Sequence, residues 1–279
     1  MLPLRSRPPR ADEGTGAVDE GGHVRTSWGS ATDRGVRDVN EDALLAFPPV
    51  FLVADGMGGY DAGDLASRIV VEEFARLAGL PAVAADDIHA CFARASQRVR
   101  DEFTGGRQGG TTIAGAAVTQ VGGEAYWLVF NVGDSRVYRY ADGGLEQVSV
   151  DHSVAQELAD AGLIEADQVD RHRERHVLTR ALGTGEPPEP DYWLLPAGSR
   201  DRLLVCTDGL TRELADDELA GLLGALPDPR EVADVLVAEA VGRGARDNVT
   251  AVVVDVAPVA AGAGLSHDLA VTAPRAGTP

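Results

Sequence analysis

The stretch VFLVADGMGG, residues 50–59, joins a run of apolar residues to an aspartate and several glycines. Its first five residues form a short apolar run, which predicts a strand buried in the interior of the protein. Asp55 follows this run directly, and Gly56 comes next. A rigid strand end can aim a short carboxylate accurately, and a glycine lets a ligand or a carbonyl approach closely. The stretch therefore predicts a buried strand that brings a carboxylate to a site.

The same pattern, an apolar run ending in aspartate, occurs three more times along the chain. The further instances are residues 130–134, residues 204–209, and residues 246–248 just before the run 249–254. We expect the strand ends to meet at one edge of a sheet and to gather four carboxylates. These belong to Asp55, Asp134, Asp208 and Asp247. Such a cluster stays ionised only with cations, and oxygen-only ligands suit Mg²⁺ or Mn²⁺.

A single aspartate–glycine pair after a strand has a simpler explanation, since it is usually a turn. We interpret Asp142-Gly143, which lies between two predicted strands, in this way. Four such endings in one chain are harder to explain as turns, so we favour the metal site.

A second polar segment, residues 37–43, combines one basic residue with several acidic ones. The simplest interpretation is a charged loop in solvent. The functional alternative is that Arg37 binds a phosphate beside the metal-binding carboxylates, because a guanidinium offers paired donors that match phosphate geometry. The segment alone does not decide between the two.

Composition along the chain predicts one folded region between two flexible ends. Residues 1–22 and 258–279 lack periodicity and predict a disordered leader and a flexible tail around a domain at 23–257. Helices are predicted at 64–78, 88–103, 153–161 and 231–241. Strands are predicted at 50–54, 112–119, 125–132, 136–140, 202–207 and 248–256, the second to fourth as an antiparallel meander. Grouped strands and grouped helices indicate an α+β fold with sheets packed together and helices outside.

Net charge and cysteine content exclude several classes of protein. The chain has 279 residues and a formal net charge of -19, and duplex-binding proteins usually carry the opposite sign. Its two cysteines, Cys91 and Cys206, do not form a disulfide framework, which indicates a reducing compartment. No stretch has the length of a membrane span or the pattern of a signal peptide. We therefore expect a cytoplasmic protein that binds neither nucleic acid nor membrane.

Eight short motifs in a fixed order resemble those of the metal-dependent protein phosphatases of type 2C, in particular the bacterial serine/threonine phosphatases. The resemblance covers residues 30–256. The motifs are Arg37-x-x-Asn40-Glu41-Asp42-Ala43, Val53–Gly59, Gly110-Thr111-Thr112, Asn131–Arg136, Asp151-His152-Ser153, Leu178–Gly183, Cys206–Leu210 and Arg246–Thr250. One such motif is modest evidence, whereas the ordered set is specific.

The resemblance implies a four-layer αββα sandwich of two antiparallel sheets flanked by helices, with the metal ions in a cleft at one end. It also implies that Asp55 bridges two Mn²⁺ or Mg²⁺ ions. Asp208 and Asp247 would complete the ligands of one ion, and Glu41 with the Gly56 carbonyl would serve the other.

Three further roles follow from the same resemblance. Many bacterial relatives bind a third ion, for which Asp134 and Asp208 would be the ligands here. Asp42 would orient a metal-activated water, and Arg37 would hold the substrate phosphate. The expected activity is hydrolysis of phosphoserine and phosphothreonine in proteins by a monomer. Serine/threonine kinases and their targets are the expected substrates.

Two alternatives and two departures from the family pattern accompany this interpretation. The chain could be a non-catalytic phosphoprotein-binding regulator on the same fold, or a hydrolase of small phosphate esters. Met57 stands where some relatives have histidine, and Tyr60 stands where many bacterial relatives have one. His152 is expected to be a buried structural residue.

The segment from about residue 157 to 174 corresponds to a variable flap beside the cleft in this family. Its charged residues and those just after it fit a solvated surface. The alternative is that basic side chains here help to select substrates. The candidates are Arg171, Arg173 and Arg175.

Overall fold

A computed structural model of the chain describes residues 4–6, 25–58, 62–103, 109–198 and 201–256. The strands in these ranges are β1 (Leu4–Ser6), β2 (Thr26–Asp33), β3 (Asp42–Phe47), β4 (Val50–Gly58), β5 (Gly109–Thr111), β6 (Ile113–Val121), β7 (Glu124–Val132), β8 (Arg136–Ala141), β9 (Gly144–Gln147), β10 (Asp191–Pro196), β11 (Arg202–Cys206) and β12 (Val249–Val256). The α-helices are α1 (Ala62–Phe74), α2 (Ala85–Glu102), α3 (Val154–Asp160), α4 (Asp208–Thr211), α5 (Asp216–Ala225) and α6 (Pro229–Gly242). The predicted leader and tail lie outside the described residues, except for β1.

The strands form two sheets. The first has the order β1-β10-β7-β6-β4-β3, with β5 paired to β4, and the second has the order β2-β12-β11-β8-β9. Every pair is antiparallel except β1 with β10, which is parallel. β1 therefore adds an edge strand that the sequence did not predict.

The strand β4 shows how the layers are arranged. Phe51 and Val53 belong to the apolar cluster between the two sheets, whereas Leu52 and Ala54 belong to the cluster between the first sheet and its helices. Successive side chains of a strand point to opposite faces. Because both faces of β4 are covered, its sequence is continuously apolar rather than alternating.

Helices cover the outer face of each sheet. On the first sheet, Phe74 of α1 stacks on Phe130 of β7 with ring centroids 5.5 Å apart, and Phe92 of α2 packs against Phe130 at 5.7 Å. On the second sheet, α5 and α6 share an apolar cluster with β11 and β12. The four-layer αββα sandwich is thus confirmed. Over the described ranges, no helix has the length and apolar composition that a membrane crossing requires.

The four predicted helices are present, with ends that differ by a few residues. Ser153 caps α3 as predicted, since its hydroxyl accepts a hydrogen bond from the Gln156 N–H at 3.3 Å. α6 begins at Pro229, and its N-terminus is capped by the Asp228 side chain, which accepts from the Arg230 N–H at 2.9 Å.

The predicted meander is wrong in its third strand. β6 pairs with β7 in the first sheet, but β8 pairs with β11 and β9 in the second. The chain crosses between the sheets at Gly133, whose φ is 113°. A Cβ there would also lie 2.6 Å from the Cβ of Thr112, so only glycine fits this crossing.

Candidate metal centre

The predicted carboxylates come together at one end of the sandwich, around a cavity of about 350 Å³. Asp55 lies on β4 of the first sheet, and Asp134 lies in the connection from β7 of the first sheet to β8 of the second. Asp208 follows β11 and Asp247 precedes β12, so both come from the second. The prediction that they would meet at one edge of a single sheet is therefore wrong, because two facing sheets contribute to the cluster.

Glu41 reaches the same cavity from the loop before β3. Its N–H donates to Asn248 Oδ1 at 2.8 Å, and its carbonyl accepts from the Gly56 N–H at 3.2 Å and the Ser67 hydroxyl at 2.6 Å. Partial burial raises the pKa of the Glu41 carboxyl, which Arg37 opposes. Contacts from three parts of the chain thus fix the backbone that carries this carboxylate.

Gly56 also lines the cavity, where β4 passes very close to α1. A Cβ on Gly56 would collide with the backbone carbonyls of Gly63 and Glu41. The glycine after Asp55 permits a close approach, as predicted, and the approach is of backbone to backbone.

Asp42 lies directly opposite Asp55 in the pairing of β3 with β4. Its Oδ2 accepts hydrogen bonds from the hydroxyls of Thr250 at 2.7 Å and Thr207 at 3.0 Å. Its Oδ1 is buried and has no partner among the described residues. Burial raises the pKa of Asp42 to about 7, although the two threonine hydrogen bonds oppose the shift.

The other buried aspartates repel one another. Burial raises the pKa of Asp55 well above its ordinary value, and the charges of Asp42, Asp208 and Asp134 add to the effect. Burial also raises the pKa of Asp134, with Asp208 as the largest charge contribution, and brings the pKa of Asp208 to about 6. A cation between these groups would restore their ionised forms.

Two arginines contact the carboxylates of the second sheet. Arg37 donates from Nε to the Arg246 carbonyl at 3.1 Å and from Nη2 to Asp247 Oδ2 at 3.0 Å. Arg212 donates from Nη1 to the same Asp247 oxygen at 2.7 Å and forms an ion pair with Asp208 Oδ2. Both guanidinium groups line the cavity. The site therefore places positive charge beside a cluster of carboxylates.

A sequence model of a family described as protein phosphatase 2C matches residues 36–240 of the chain. The chain belongs to the protein phosphatase 2C family. The serine/threonine phosphatase stp of Listeria monocytogenes is similar to it, with 33% identity over 241 residues, 80% of this chain and 93% of that protein.

Solved structures in this family have the same architecture. The crystal structure of the Mycobacterium tuberculosis serine/threonine phosphatase PstP/Ppp is similar with a TM-score of 0.77 and 31% identity, over 83% of this chain and 99% of that one. A structure of the PstP catalytic domain in complex with two manganese ions has a TM-score of 0.72 and 30% identity, over 83% of this chain and 98% of that one.

Two residues of this phosphatase 2C site, Arg212 and His176, were not predicted from the sequence. Arg212 lies four positions after Asp208, and this helical spacing could have suggested their contact. His176 carried no comparable signal. One donor atom each of His176, Asp134 and Asp208 lie within 4.8 Å of one another. Partial burial, with Arg212 and Arg175 nearby, lowers the pKa of His176 to about 4.

Four further residues were considered in the sequence, and the structure describes three of them. Met57 lines the cavity, while Tyr60 lies outside the described residues. His152 is buried, as expected, and its Nδ1 accepts the Gly133 N–H at 3.1 Å. Cys206 is also buried, which raises the pKa of its thiol to about 12 and keeps it from acting as a nucleophile.

The flap contains the end of α3 and a 3-10 helix, Ala166–Arg171. Arg175, just after it, lines two cavities of about 450 and 670 Å³ that border the carboxylates. Arg173 is 85% exposed and lies 3.6 Å from Glu174. Of the basic residues considered for substrate selection, Arg175 thus stands beside the site, and Arg173 fits a solvated surface.

Proposed function

We propose that this phosphatase 2C chain is a metal-dependent serine/threonine protein phosphatase that hydrolyses phosphoserine and phosphothreonine in other proteins. The observation that carries the proposal is the cluster of five carboxylates facing one cavity beside Arg37. These belong to Glu41, Asp55, Asp134, Asp208 and Asp247. The relatives named above are serine/threonine phosphatases, which supports the same activity here.

The donor set fits Mn²⁺ or Mg²⁺. Asp208 Oδ1, like Asp42 Oδ1, is buried without a partner among the described residues, and a buried ionised oxygen needs a compensating charge. We assign Asp55 to bridge two ions, Asp208 and Asp247 to one of them, and Glu41 with the Gly56 carbonyl to the other. Asp134 and Asp208 would hold a third ion. When bound, such ions activate water for in-line attack and neutralise the phosphoryl oxygens.

Asp42 is assigned to orient the attacking water. Thr207 and Thr250 hold one carboxylate oxygen, so the other keeps a fixed direction.

Arg37 is assigned to hold the substrate phosphate. Its side chain is 54% exposed, and two of its five N–H donors are used by Asp247 and the Arg246 carbonyl. The remaining donors are available to phosphoryl oxygens at the cavity mouth.

We also propose the substrates of the enzyme, its location in the cell and its oligomeric state. Phosphorylated serine/threonine kinases and their targets are the substrates, and the protein acts in the cytoplasm as a monomer, with its catalytic domain at residues 23–257. The two free, buried cysteines agree with a reducing compartment. The range of the domain agrees with the strands of the second sheet, which extend from Thr26 to Val256.

The regulator alternative is less well supported. A non-catalytic module would be expected to have lost carboxylates, whereas all five are present and face one cavity. Hydrolysis of small aryl phosphates is compatible with an open site and is treated as a side activity.

Phosphate release from a phosphothreonine peptide, with Mn²⁺, with Mg²⁺ and with excess chelator, tests the proposal. We expect turnover that requires the metal. Asp55→Asn should abolish turnover with an unchanged circular dichroism spectrum, because it removes the bridging charge. Asp142→Asn, the same change in the turn between β8 and β9, is the control and should remain active. No turnover from folded wild-type protein would favour the regulator, and an active Asp55→Asn variant would refute the site assignment.

A further inference from the structure

His176 lines the same cavity as the buried Asp134 and Asp208. One ring nitrogen of His176 and one carboxylate oxygen each from Asp134 and Asp208 lie within 4.8 Å of one another. Two ligands of the same first-row ion, each about 2.1 Å from it, are at most about 4.2 Å apart. The three groups therefore need to move by only a few tenths of an ångström to share an ion.

The donor atoms in this group are available. Asp208 Oδ2 is engaged by Arg212, but Oδ1 is buried and has no hydrogen-bond partner in the described part of the chain. Asp134 and Asp208 are each only 6% exposed, so water does not solvate them freely. No described residue forms a hydrogen bond with the His176 imidazole.

We infer that His176 is a further ligand of the ion assigned to Asp134 and Asp208, so that this position has one nitrogen and two oxygen donors and takes Mn²⁺ or another first-row transition ion in preference to Mg²⁺. Magnesium prefers an all-oxygen shell and keeps its waters, whereas imidazole suits transition ions. The other ligands assigned under the proposed function supply only oxygen. A nitrogen ligand on a bound ion therefore distinguishes this site from its neighbours. The inference deepens the proposed metal-dependent function, on which it rests.

Two arginines near this group are already paired with carboxylates. Arg136 binds Asp151 through Nε and Nη2 at 2.7 to 3.0 Å, and Arg212 is shared between Asp208 and Asp247. His176 lies in the chain just after the flap, so an ion here would join the flap side of the cavity to both sheets.

Pulsed electron paramagnetic resonance tests the inference. Wild-type protein is first saturated with Mg²⁺ to fill the all-oxygen positions, and about one equivalent of Mn²⁺ is then added. We expect electron spin-echo modulation from a histidine nitrogen. His176→Gln should lose this modulation and bind the added Mn²⁺ about tenfold more weakly, in line with the loss of one ligand. His172→Gln is the control. His172 lies in the same segment and accepts the Glu174 N–H at 3.2 Å, and its variant should keep the signal.

The outcomes separate this inference from the proposed function. Wild-type protein without nitrogen modulation, or modulation that survives in His176→Gln, would overturn the inference even if the protein hydrolyses phosphopeptides with Mn²⁺. Modulation that depends on His176 in a protein without phosphatase activity would support the metal site and overturn the proposed function instead.

Discussion

The free oxygens Asp42 Oδ1 and Asp208 Oδ1 explain why this site calls for cations. Each belongs to a buried carboxylate whose second oxygen already has partners, hydroxyls for Asp42 and a guanidinium for Asp208. An ionised oxygen that is buried without a partner is costly, so the protein alone leaves the charges incompletely compensated. A divalent ion bound between the sheets would compensate the negative charge of these carboxylates.

Arg37→Ala should mainly weaken binding of the phosphopeptide. Loss of a half-exposed, charge-assisted contact predicts a rise in KM of about tenfold, with kcat changed by less than about twofold. Steady-state kinetics on a phosphothreonine peptide measure both. Arg68→Ala removes a surface ion pair with Asp64 on α1 and serves as the control. A fall in kcat alone would mean that Arg37 acts only in the transition state.

Arg212→Gln should increase the affinity for Mn²⁺. Arg212 contacts Asp208 and Asp247, both assigned as ligands, so an incoming ion must displace part of its positive charge. Partly exposed ion pairs are worth up to about 1 kcal/mol, which corresponds to an increase of up to about fivefold. Isothermal titration calorimetry measures the change. Arg243→Gln, which breaks a nearby pair with Glu218, should leave the affinity unchanged. Weaker Mn²⁺ binding in Arg212→Gln would refute this interpretation.

At the scale of elements, two neighbouring arginines at the end of the flap differ in their position relative to the site. Arg175 borders the cavities beside the carboxylates, and Arg173 faces solvent. Arg175→Ala should raise KM for phosphopeptides several-fold while leaving KM for a small aryl phosphate unchanged, because only a peptide reaches beyond the phosphate pocket. Arg173→Ala is the matched control. Equal effects of the two variants would indicate general electrostatics rather than a contact.

Periodicity predicted the longer elements well and the polar ones poorly. α1, α2 and α6 have apolar residues at helical spacing, and β4 is continuously apolar, so each was found. β2 is missed because, in Thr26–Asp33, only Trp28 is a large apolar residue. β10 is missed because Asp191–Pro196 begins with aspartate and ends with proline. In β2, pairing with neighbouring strands outweighs the weak local propensity.

The site was predicted where local sequence carries the information and missed where only tertiary contacts do. An aspartate after an apolar run can be read from the chain, as for Asp55. The transfer of β8 to the second sheet depends on a backbone crossing at Gly133, which resembles an ordinary hairpin turn in sequence. His176 reaches the aspartates only through the path of the chain after the flap, which no local pattern records.

At the scale of the molecule, the carboxylate cluster predicts that stability without metal falls as pH rises. The pKa of Asp42 is raised to about 7 and that of Asp208 to about 6, against ordinary values near 4 in the unfolded chain. Because the folded form holds these protons more tightly, their contribution to stability is complete below about pH 4 and is lost by about pH 7.

Calorimetric Tm values in chelator and in Mn²⁺, between about pH 4.5 and pH 8, test this expectation. In chelator, Tm should decline across the range. Bound Mn²⁺ should reduce or reverse the decline, because it binds the ionised carboxylates. Asp42→Asn should flatten the decline in chelator. A Tm in chelator that rises with pH would contradict the predicted direction.

The two-sheet origin of the ligands has a mechanical consequence. Asp55 belongs to one sheet, Asp208 and Asp247 adjoin strands of the other, and Asp134 lies in a connection between the two. Any ion held by carboxylates of both sheets is a removable cross-link at one end of the sandwich, whose interior is packed with apolar side chains. The supply of metal in the cell would then set the stiffness of this end as well as the rate of the reaction.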